Sequence, residues 1–354
     1  MKKQRKIIIA SVLLSGATFF ISCSPKFWNR PNTSYQPLPE ITSLKKKDKI
    51  NEAYQFLEKE TQYDAFIALR NDSVLASWGD VSLPIMTHSA RKSIMSVLYG
   101  IAIDKGLIQL NQTLGTLNID DKKAPLTALE KTCTVRDLLM SRSGIYIEAA
   151  GETKEMKAAR PKRGMHKPGE FFYYNNWGFN VLGTIFEQQT RLSIGEAIEE
   201  WLAKPLGMKK FRANYVIYKQ PDYSEHRQYI IFMTAEDLAR IGVLMLNNGY
   251  WKGKSIVSAS WVAESTQPYS EDKGNEPFDH YAYLWLNDTD EGTFWASGWG
   301  GQFMIVDRQH KLVVVSRNDT GRSLLQQGLF MWKGKQASRQ HHQDLHHLMI
   351  TACQ

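Results

Sequence analysis

The pattern of hydrophobic and polar residues predicts strands near both ends of the globular region. The strand-like apolar runs are residues 65–69, 74–78, 281–286, 293–297, 303–306 and 312–316. The first two runs flank Asn71-Asp72, which is typical of a hairpin turn. Because strands at both ends need partners, we expect one antiparallel sheet that is built from both ends of the chain.

Between these runs, apolar residues recur at helical spacing. The helical signals extend from Ser89 to about Gly253, and further helices are expected near Lys49 and at the C-terminus. The pattern therefore predicts an α+β fold in which a mostly helical lobe, about residues 89–270, is inserted into the sheet.

The N-terminal segment has the layout of an export signal. Residues 1–22 combine a basic start with an apolar run that ends just before Cys23, and this run is short for a membrane span, which needs about 20 apolar residues. The stretch 20–23 resembles the lipobox of bacterial lipoproteins. That resemblance implies a lipidated Cys23 and an exported, membrane-anchored protein that faces the periplasm or the cell surface. The alternative is an ordinary signal peptide with an incidental cysteine.

The chain after the signal is expected to form a tether and one domain. Residues 23–48 contain four prolines and little periodicity, as is typical of a linker, and the domain is expected over 49–354. Only Cys133 and Cys353 remain besides Cys23, too few for a disulfide framework. We expect Cys133 to lie in the core.

Composition excludes two broad classes of protein. With 354 residues and 43% hydrophobic content, the chain is long and apolar enough to form a sizeable core and is not a disordered protein. The formal net charge is +8, but four of the basic residues lie within the first six positions, inside the predicted export signal. The remaining excess is too small to predict a nucleic-acid partner.

The pattern Ser-x-x-Lys, which can place a nucleophile beside a base, occurs three times. It begins at Ser43 in a lysine-rich run, at Ser89 before an apolar helix, and at Ser270 in a stretch predicted to be a polar loop. A serine that merely caps a helix and is followed by a solvated lysine would give the same pattern. Because only Ser89 opens an apolar helix, Ser89 with Lys92 is the candidate pair.

The spacing of this pair suits nucleophilic catalysis. Lys92 lies one helical turn after Ser89, so its amine can reach the hydroxyl. A neutral lysine can take the serine proton, and burial or nearby positive charge, such as that of Arg91, favours the neutral amine. The N-terminus of the helix also offers a backbone N–H to an oxyanion.

The stretch 168–176 contains a second set of candidate residues in a turn before a helix. A tyrosine near Lys92 can relay a proton, and an asparagine can orient the network and bind a substrate carbonyl. Two registers fit, Tyr173 with Asn175 and Tyr174 with Asn176. The residues alone leave both open, together with the alternative that the aromatic rings only pack the turn into the core.

Taken together, these residues resemble the family of serine β-lactamases and penicillin-binding proteins, in the branch with class C β-lactamases, D-amino-acid peptidases, carboxylesterases and nylon-oligomer hydrolases. The resemblance covers nearly all of residues 50–330. The matching stretches are 89–93, 134–139 with Ser143-Gly144, Pro168-Gly169 with Tyr174 and Asn176, 205–208, 234–239, and Gly298 with Gly301-Gln302.

The resemblance implies a β-lactamase-like fold and specific roles for these residues. Ser89 would be the nucleophile, Lys92 its base and Tyr174 the proton relay, since the family's tyrosine stands five residues after the glycine of Pro-Gly. Asn176 would then bind substrate. Acylation and hydrolysis in this family need no cofactor or metal.

The third motif of the family departs from its usual form here. A Lys- or His-x-Gly triplet is usual on the sheet edge, whereas this chain has Ala296-Ser297-Gly298. The resemblance makes the backbone N–H of Trp299 the partner of Ser89 in an oxyanion hole, and the missing cation argues against recognition of a substrate carboxylate. Trp177 and Trp299 flank these motifs and are expected either to line an apolar acyl pocket or to pack between the lobes.

The C-terminal region contains histidines at 341, 342, 346 and 347. A His-x-x-x-His pair on a helix can bind zinc. Gln343 follows the first histidine of this pair, where a zinc-peptidase helix has its glutamate base, so a solvated helix face is the favoured interpretation and no metal site is expected.

The sequence therefore predicts an exported serine hydrolase that cleaves a small ester, amide or peptide substrate through an acyl-enzyme on Ser89. The alternatives are a β-lactamase or D-Ala peptidase that uses the same residues, a penicillin sensor that acylates without turnover, and a non-catalytic surface lipoprotein.

Overall fold

The computed structural model describes residues 47–354 apart from 62, 276–277 and 333–337. The predicted export signal, Cys23 and nearly all of the predicted tether lie outside the described residues. The described residues belong to one unit, Asn32–Gln354. No helix in these residues is both long enough and apolar enough to cross a membrane.

The described residues alternate between strands and helices in the order expected of an α+β protein. The strands are β1 (Ala65–Arg70), β2 (Ser73–Gly79), β3 (Ile85–Met86), β4 (Val216–Lys219), β5 (Gln228–Met233), β6 (Tyr250–Trp251), β7 (Lys254–Ser255), β8 (Ser270–Asn275), β9 (Phe278–Tyr281), β10 (Leu286–Asp288), β11 (Thr293–Gly298), β12 (Gln302–Asp307) and β13 (Leu312–Arg317). The helices are α1 (Lys47–Lys59), α2 (Arg91–Asp104), α3 (Val135–Leu139), α4 (Lys154–Ala159), α5 (Asn176–Thr190), α6 (Ile194–Ile198), α7 (Lys204–Leu206), α8 (Ala235–Leu246), α9 (Ala259–Ser265), α10 (Leu324–Trp332) and α11 (Arg339–Cys353).

The main sheet joins the two ends of the domain. Its eight strands are arranged in the order β2-β1-β13-β12-β11-β10-β9-β8, and neighbouring strands are antiparallel. Strand β1 pairs with β13 from Ala65↔Arg317 to Arg70↔Leu312. The chain between β2 and β8 is thus inserted into a sheet made by both ends, which confirms the predicted fold class.

Helices cover both faces of this sheet. Leu312 and Val314 pack in a cluster with residues of α1 and α11. Val313 points to the opposite face of the sheet and packs closely on Gly242 of α8. A Cβ added to this glycine would lie only 2.5 Å from Val313 Cγ1. Because helices cover both faces, β12 and β13 are buried along their whole length, and their central residues are apolar on both sides instead of alternating.

The structure corrects three predictions about elements of the sheet and lobe. The predicted strand 281–286 is split between β9 and β10. Between the two strands, Leu284 has a φ of 64°, and its carbonyl oxygen accepts a hydrogen bond from the Ser93 hydroxyl. Ser270 lies in strand β8, not in a polar loop, because its hydroxyl accepts a hydrogen bond from Arg142 while the strand pairs with β9. The inserted lobe also contains the strand pair β4–β5, which the helical pattern did not indicate. Cys133 is buried, as predicted.

The prediction of a solvated histidine face on the last helix was wrong. His342 and His346 are buried because α11 packs on β12 and β13. His342 Nδ1 lies 2.8 Å from Ser316 Oγ, and His346 Nε2 lies 2.8 Å from Asp307 Oδ2. Only His347 of the four is well exposed, with 47% of its side chain accessible.

Candidate active site

Ser89 lies in a tight turn that links strand β3 to helix α2. Thr87 is hydrogen-bonded through both its backbone N–H and its hydroxyl to the carbonyl oxygen of Ile231 in β5. His88 then adopts a φ of 46°, a left-handed conformation that is uncommon for a residue with a side chain. The residues His88–Ala90 form a 3-10 turn and α2 begins at Arg91, so Ser89 stands just before the helix that it was expected to open.

The side chains of Ser89, Lys92 and Tyr174 converge at this turn. Lys92 Nζ donates to Ser89 Oγ at 3.0 Å and to Tyr174 Oη at 2.7 Å. Ser89 is partly exposed, whereas Lys92 is only 2% exposed at the bottom of the site. The structure therefore brings together three of the predicted site residues, with the amine between the two hydroxyls.

The surroundings of Lys92 favour a neutral amine. Burial lowers the pKa of Lys92 well below its ordinary value, and the charge of Arg91 lowers it further. Among the described residues, its hydrogen-bond partners are both hydroxyls. The rings of Tyr174 and Phe179 lie 4.7 and 4.6 Å from Nζ, measured to their centroids, and offer a weaker attraction to the charged form. Burial dominates because an aromatic face repays only part of the lost hydration of an ammonium.

The surroundings of Tyr174 favour a protonated phenol. Burial of most of the ring raises the pKa of Tyr174, and a hydrogen bond to Ser89 offsets only part of this rise. Tyr173 is placed differently, because its hydroxyl donates to the carbonyl oxygen of Met156 at 3.0 Å. A protonated phenol at Tyr174 can donate a proton, and a neutral amine at Lys92 can accept one.

Asn176 does not contact this cluster. It is the first residue of α5, and its Nδ2 donates to the carbonyl oxygen of Gly151 at 2.9 Å. Its neighbour Asn175 caps the helix by accepting the backbone N–H of Trp177 and donates to the carbonyl oxygen of Ile145 at 2.6 Å. Both amides support the loops beside the site.

Gly298 lets strand β11 lie against residues 87–90, the turn that contains Ser89 and is called the nucleophile turn below. A Cβ at this position would overlap the carbonyl oxygen of Thr87 and lie 3.1 Å from the backbone nitrogen of Ala90. Only glycine allows this approach, so the backbone that continues to Trp299 runs beside Ser89. The two backbone N–H groups expected to form an oxyanion hole, those of Ser89 and Trp299, thus belong to the nucleophile turn and to the segment that follows β11.

The two candidate tryptophans have different surroundings. Trp177 is fully buried, and its Nε1 donates to Asp121 Oδ2 at 3.1 Å, so it packs the inserted lobe and lines no substrate pocket. Trp299 is 45% exposed, with its ring 5.1 Å from His88 and 5.6 Å from Phe330 of α10. Exposed apolar side chains continue along that helix at Leu325, Leu329 and Met331.

Two arginines near the site in sequence, Arg317 and Arg142, do not replace the cation that is missing at position 296. Ala296 is buried. Arg317 is fully buried and donates to Gln302 Oε1 and to the carbonyl oxygens of Ile85 and Met233. Arg142 donates to Ser270 Oγ and to the carbonyl oxygen of Tyr269. Both arginines that flank the site in the sequence are thus held by structural hydrogen bonds.

Sequence reasoning missed two residues of the site. Phe179 packs on Lys92 and Tyr174, and no pattern marks it because it belongs to the ordinary apolar face of α5. His88 lies 2.8 Å from Thr320 Oγ1, and burial and neighbouring cations lower its pKa to about 3. The neutral His88 ring therefore supports Trp299 and adds no charge near Ser89.

The sheet, the inserted lobe and the serine–lysine–tyrosine cluster define a serine hydrolase with the architecture shared by β-lactamases and penicillin-binding proteins. Residues 83–316 match the family model described as Beta-lactamase, which covers more than half of the chain. The chain belongs to the β-lactamase family and is a serine hydrolase.

Individual relatives support the same conclusion. The chain is 25% identical over 316 residues to the 6-aminohexanoate-dimer hydrolase of Paenarthrobacter ureafaciens, an alignment that spans 80% of this chain and 79% of the relative. It shares its fold with a provisionally named 6-aminohexanoate-dimer hydrolase of Bacillus anthracis (TM-score 0.64, 19% identity, 92% of each chain). A penicillin-binding-protein homologue of Caulobacter crescentus is also similar (TM-score 0.59, 14% identity, 80% of this chain and 94% of that chain).

The position of Arg91 predicts a measurable effect on the pH profile. Its Nη1 donates to the carbonyl oxygen of His88 at 3.1 Å, and its charge helps to keep Lys92 neutral. Activity should rise with pH as Lys92 loses its proton, and removing Arg91 raises the Lys92 pKa. We therefore expect Arg91→Gln to move the acidic limb of kcat/KM to higher pH, measured on an ester across the pH range.

The matched control for this experiment is Arg136→Gln, which removes an arginine paired with Glu264 at the surface. It should leave the limb in place. An unshifted limb in a folded Arg91→Gln protein would contradict the electrostatic role of Arg91.

Proposed function

We propose that the protein hydrolyses neutral esters or amides through an acyl-enzyme on Ser89. The observation that carries this proposal is the position of the Lys92 amine, which is buried and within hydrogen-bond distance of both Ser89 Oγ and Tyr174 Oη. With Lys92 as the base, Ser89 as the nucleophile and Tyr174 as the proton relay, the proposed reaction uses no further side chain.

In the acylation step, the neutral amine of Lys92 takes the proton of Ser89 as Oγ attacks the substrate carbonyl carbon. The backbone N–H groups of Ser89 and Trp299 stabilise the oxyanion. As the intermediate collapses, the bond to the leaving alcohol or amine breaks, and that group receives the proton through Tyr174. Lys92 then activates a water molecule by the same route, which releases the acid and restores Ser89.

Two features support a neutral, apolar substrate. Position 296 holds alanine where the family carries a cation, and Arg317 and Arg142 are held by other hydrogen bonds. The exposed ring of Trp299, beside α10, offers apolar surface next to the predicted oxyanion hole. A relative named as a 6-aminohexanoate-dimer hydrolase supports cleavage of an amide bond and does not bear on the charge of the substrate.

Replacement of the nucleophile tests the mechanism. Ser89→Ala should reduce kcat by at least about 10³-fold and abolish covalent labelling by a fluorophosphonate probe, because no other group can form the acyl-enzyme. The matched controls are Ser43→Ala and Ser270→Ala, which alter the other two Ser-x-x-Lys matches. Full labelling of the Ser89→Ala protein would disprove the assignment.

Substrate preference tests the proposed class. A bond between a cation and a substrate carboxylate contributes about 1.5–3 kcal/mol, or roughly 10- to 150-fold in affinity, and Ala296 cannot supply it. We expect kcat/KM for p-nitrophenyl butyrate to exceed that for a cephalosporin. The opposite order, with cephalosporin turnover near the diffusional range, would make the protein a β-lactamase. A burst of product without steady turnover would instead identify a penicillin sensor.

We further propose that the protein is an exported lipoprotein that is anchored through Cys23. The support is the basic, apolar and lipobox-like order of residues 1–23. Cys23→Ser should move the protein from the membrane fraction to the soluble fraction, as measured by immunoblotting of separated fractions, since one lost anchor removes the main attachment. Cys353→Ser is the matched control. Wild-type protein found already in the soluble fraction would exclude the anchor.

A further inference from the structure

We propose that Glu291, His346 and His347 form a binding site for a divalent transition-metal ion such as Zn²⁺. Glu291 lies in the turn between β10 and β11, and the two histidines lie on α11. One ligand atom from each of the three residues lies within 4.8 Å of the others. The site is independent of the proposed hydrolysis, because it lies on the other face of the sheet.

The alternation of β11 shows which face this is. Trp295 contacts the ring of His342 on α11, with centroids 5.4 Å apart. Gly298, three residues later, adjoins Thr87 and Ala90 of the nucleophile turn. Because residues an odd number apart in a strand point to opposite faces, α11 and Ser89 lie on opposite sides of the sheet.

The ligand spacing needs only small movements of exposed side chains. Atoms bound to one tetrahedral Zn²⁺ ion at about 2.1 Å lie about 3.4 Å from each other. His347 Nε2 is already 3.3 Å from Glu291 Oε1, and these two side chains are 47% and 37% exposed. Both can therefore rotate toward an ion that is held by the buried His346.

His346 is oriented as metal-binding imidazoles commonly are. Its Nε2 lies 2.8 Å from Asp307 Oδ2, and the same carboxylate is held by the ring and the backbone N–H of His310 at 2.7 and 2.9 Å. Carboxylate partners of this kind hold a ligating histidine in one tautomer. In the tautomer in which Nε2 donates to Asp307, the lone pair on Nδ1 would be the one offered to the ion.

The ligand set selects the class of metal. Two imidazoles and one carboxylate suit Zn²⁺, Ni²⁺ or Cu²⁺ better than Mg²⁺ or Ca²⁺, which prefer oxygen ligands. Water completes the coordination. Because the three residues join α11 to the β10–β11 turn, the bound ion would fix the C-terminal helix to the sheet.

Calorimetric titration of Zn²⁺ into the metal-free, untagged full-length protein tests this site. We expect one ion per chain, and visible absorption bands of tetrahedral Co²⁺ on replacement. His347→Ala and Glu291→Gln should each weaken binding by at least about tenfold, because each removes a ligand. His341→Ala, a histidine of the same helix outside the cluster, should bind like the wild type.

Thermal unfolding provides a second measurement. Saturating Zn²⁺ should raise the melting temperature of the wild type and of His341→Ala, and should raise that of His347→Ala less. Ester hydrolysis by the wild type should be the same with and without the ion. Absence of binding heat in the wild type, or equal affinity in the wild type and both ligand variants, would overturn the proposal.

Discussion

The active site depends on a lysine amine that is buried between two hydroxyls. An ammonium at this position would lose its hydration without gaining a charge partner, so the protein interior favours the neutral amine of Lys92. A carboxylate beside it would stabilise the charged form and remove the base. The same burial keeps Tyr174 protonated. One physical constraint therefore assigns opposite proton roles to two neighbouring groups.

Lys92 is buried because the sheet and the inserted lobe both pack against the nucleophile turn. Thr87 joins the start of this turn to β5 by a hydrogen bond, and Gly298 allows β11 to approach the turn from the sheet. Phe179 closes the site from α5 with its ring against the amine. Since the sheet is made from both ends of the chain, its position beside Ser89 depends on pairing between segments more than 240 residues apart, as in Ala65↔Arg317.

The spacing of residues along the chain predicted those features of the fold and the site that depend on local backbone geometry. Ser89 and Lys92 meet because three residues make one turn, and strands at both ends of the domain predicted the sheet. The apolar pattern could not choose between Tyr173 and Tyr174, because the choice depends on which hydroxyl faces α2 across the lobe. It also could not show that His346 is buried, since the burial comes from packing of α11 on distant strands.

The hydrogen bonds of Arg317 explain why this nearby arginine does not replace the cation that is missing at position 296. Arg317 ends β13, and its guanidinium donates to Gln302 in β12 and to carbonyl oxygens of Ile85 in β3 and Met233 in β5. Burial without a carboxylate lowers its pKa to about 9, which still leaves it charged at neutral pH. These bonds fix β3, the strand that leads into Ser89, against the sheet. If Arg317 turned toward a substrate carboxylate, Gln302 Oε1 and the carbonyl oxygens of Ile85 and Met233 would each lose a charge-assisted hydrogen bond in a buried site. Its charge therefore holds the nucleophile turn in place and is not available for substrate recognition.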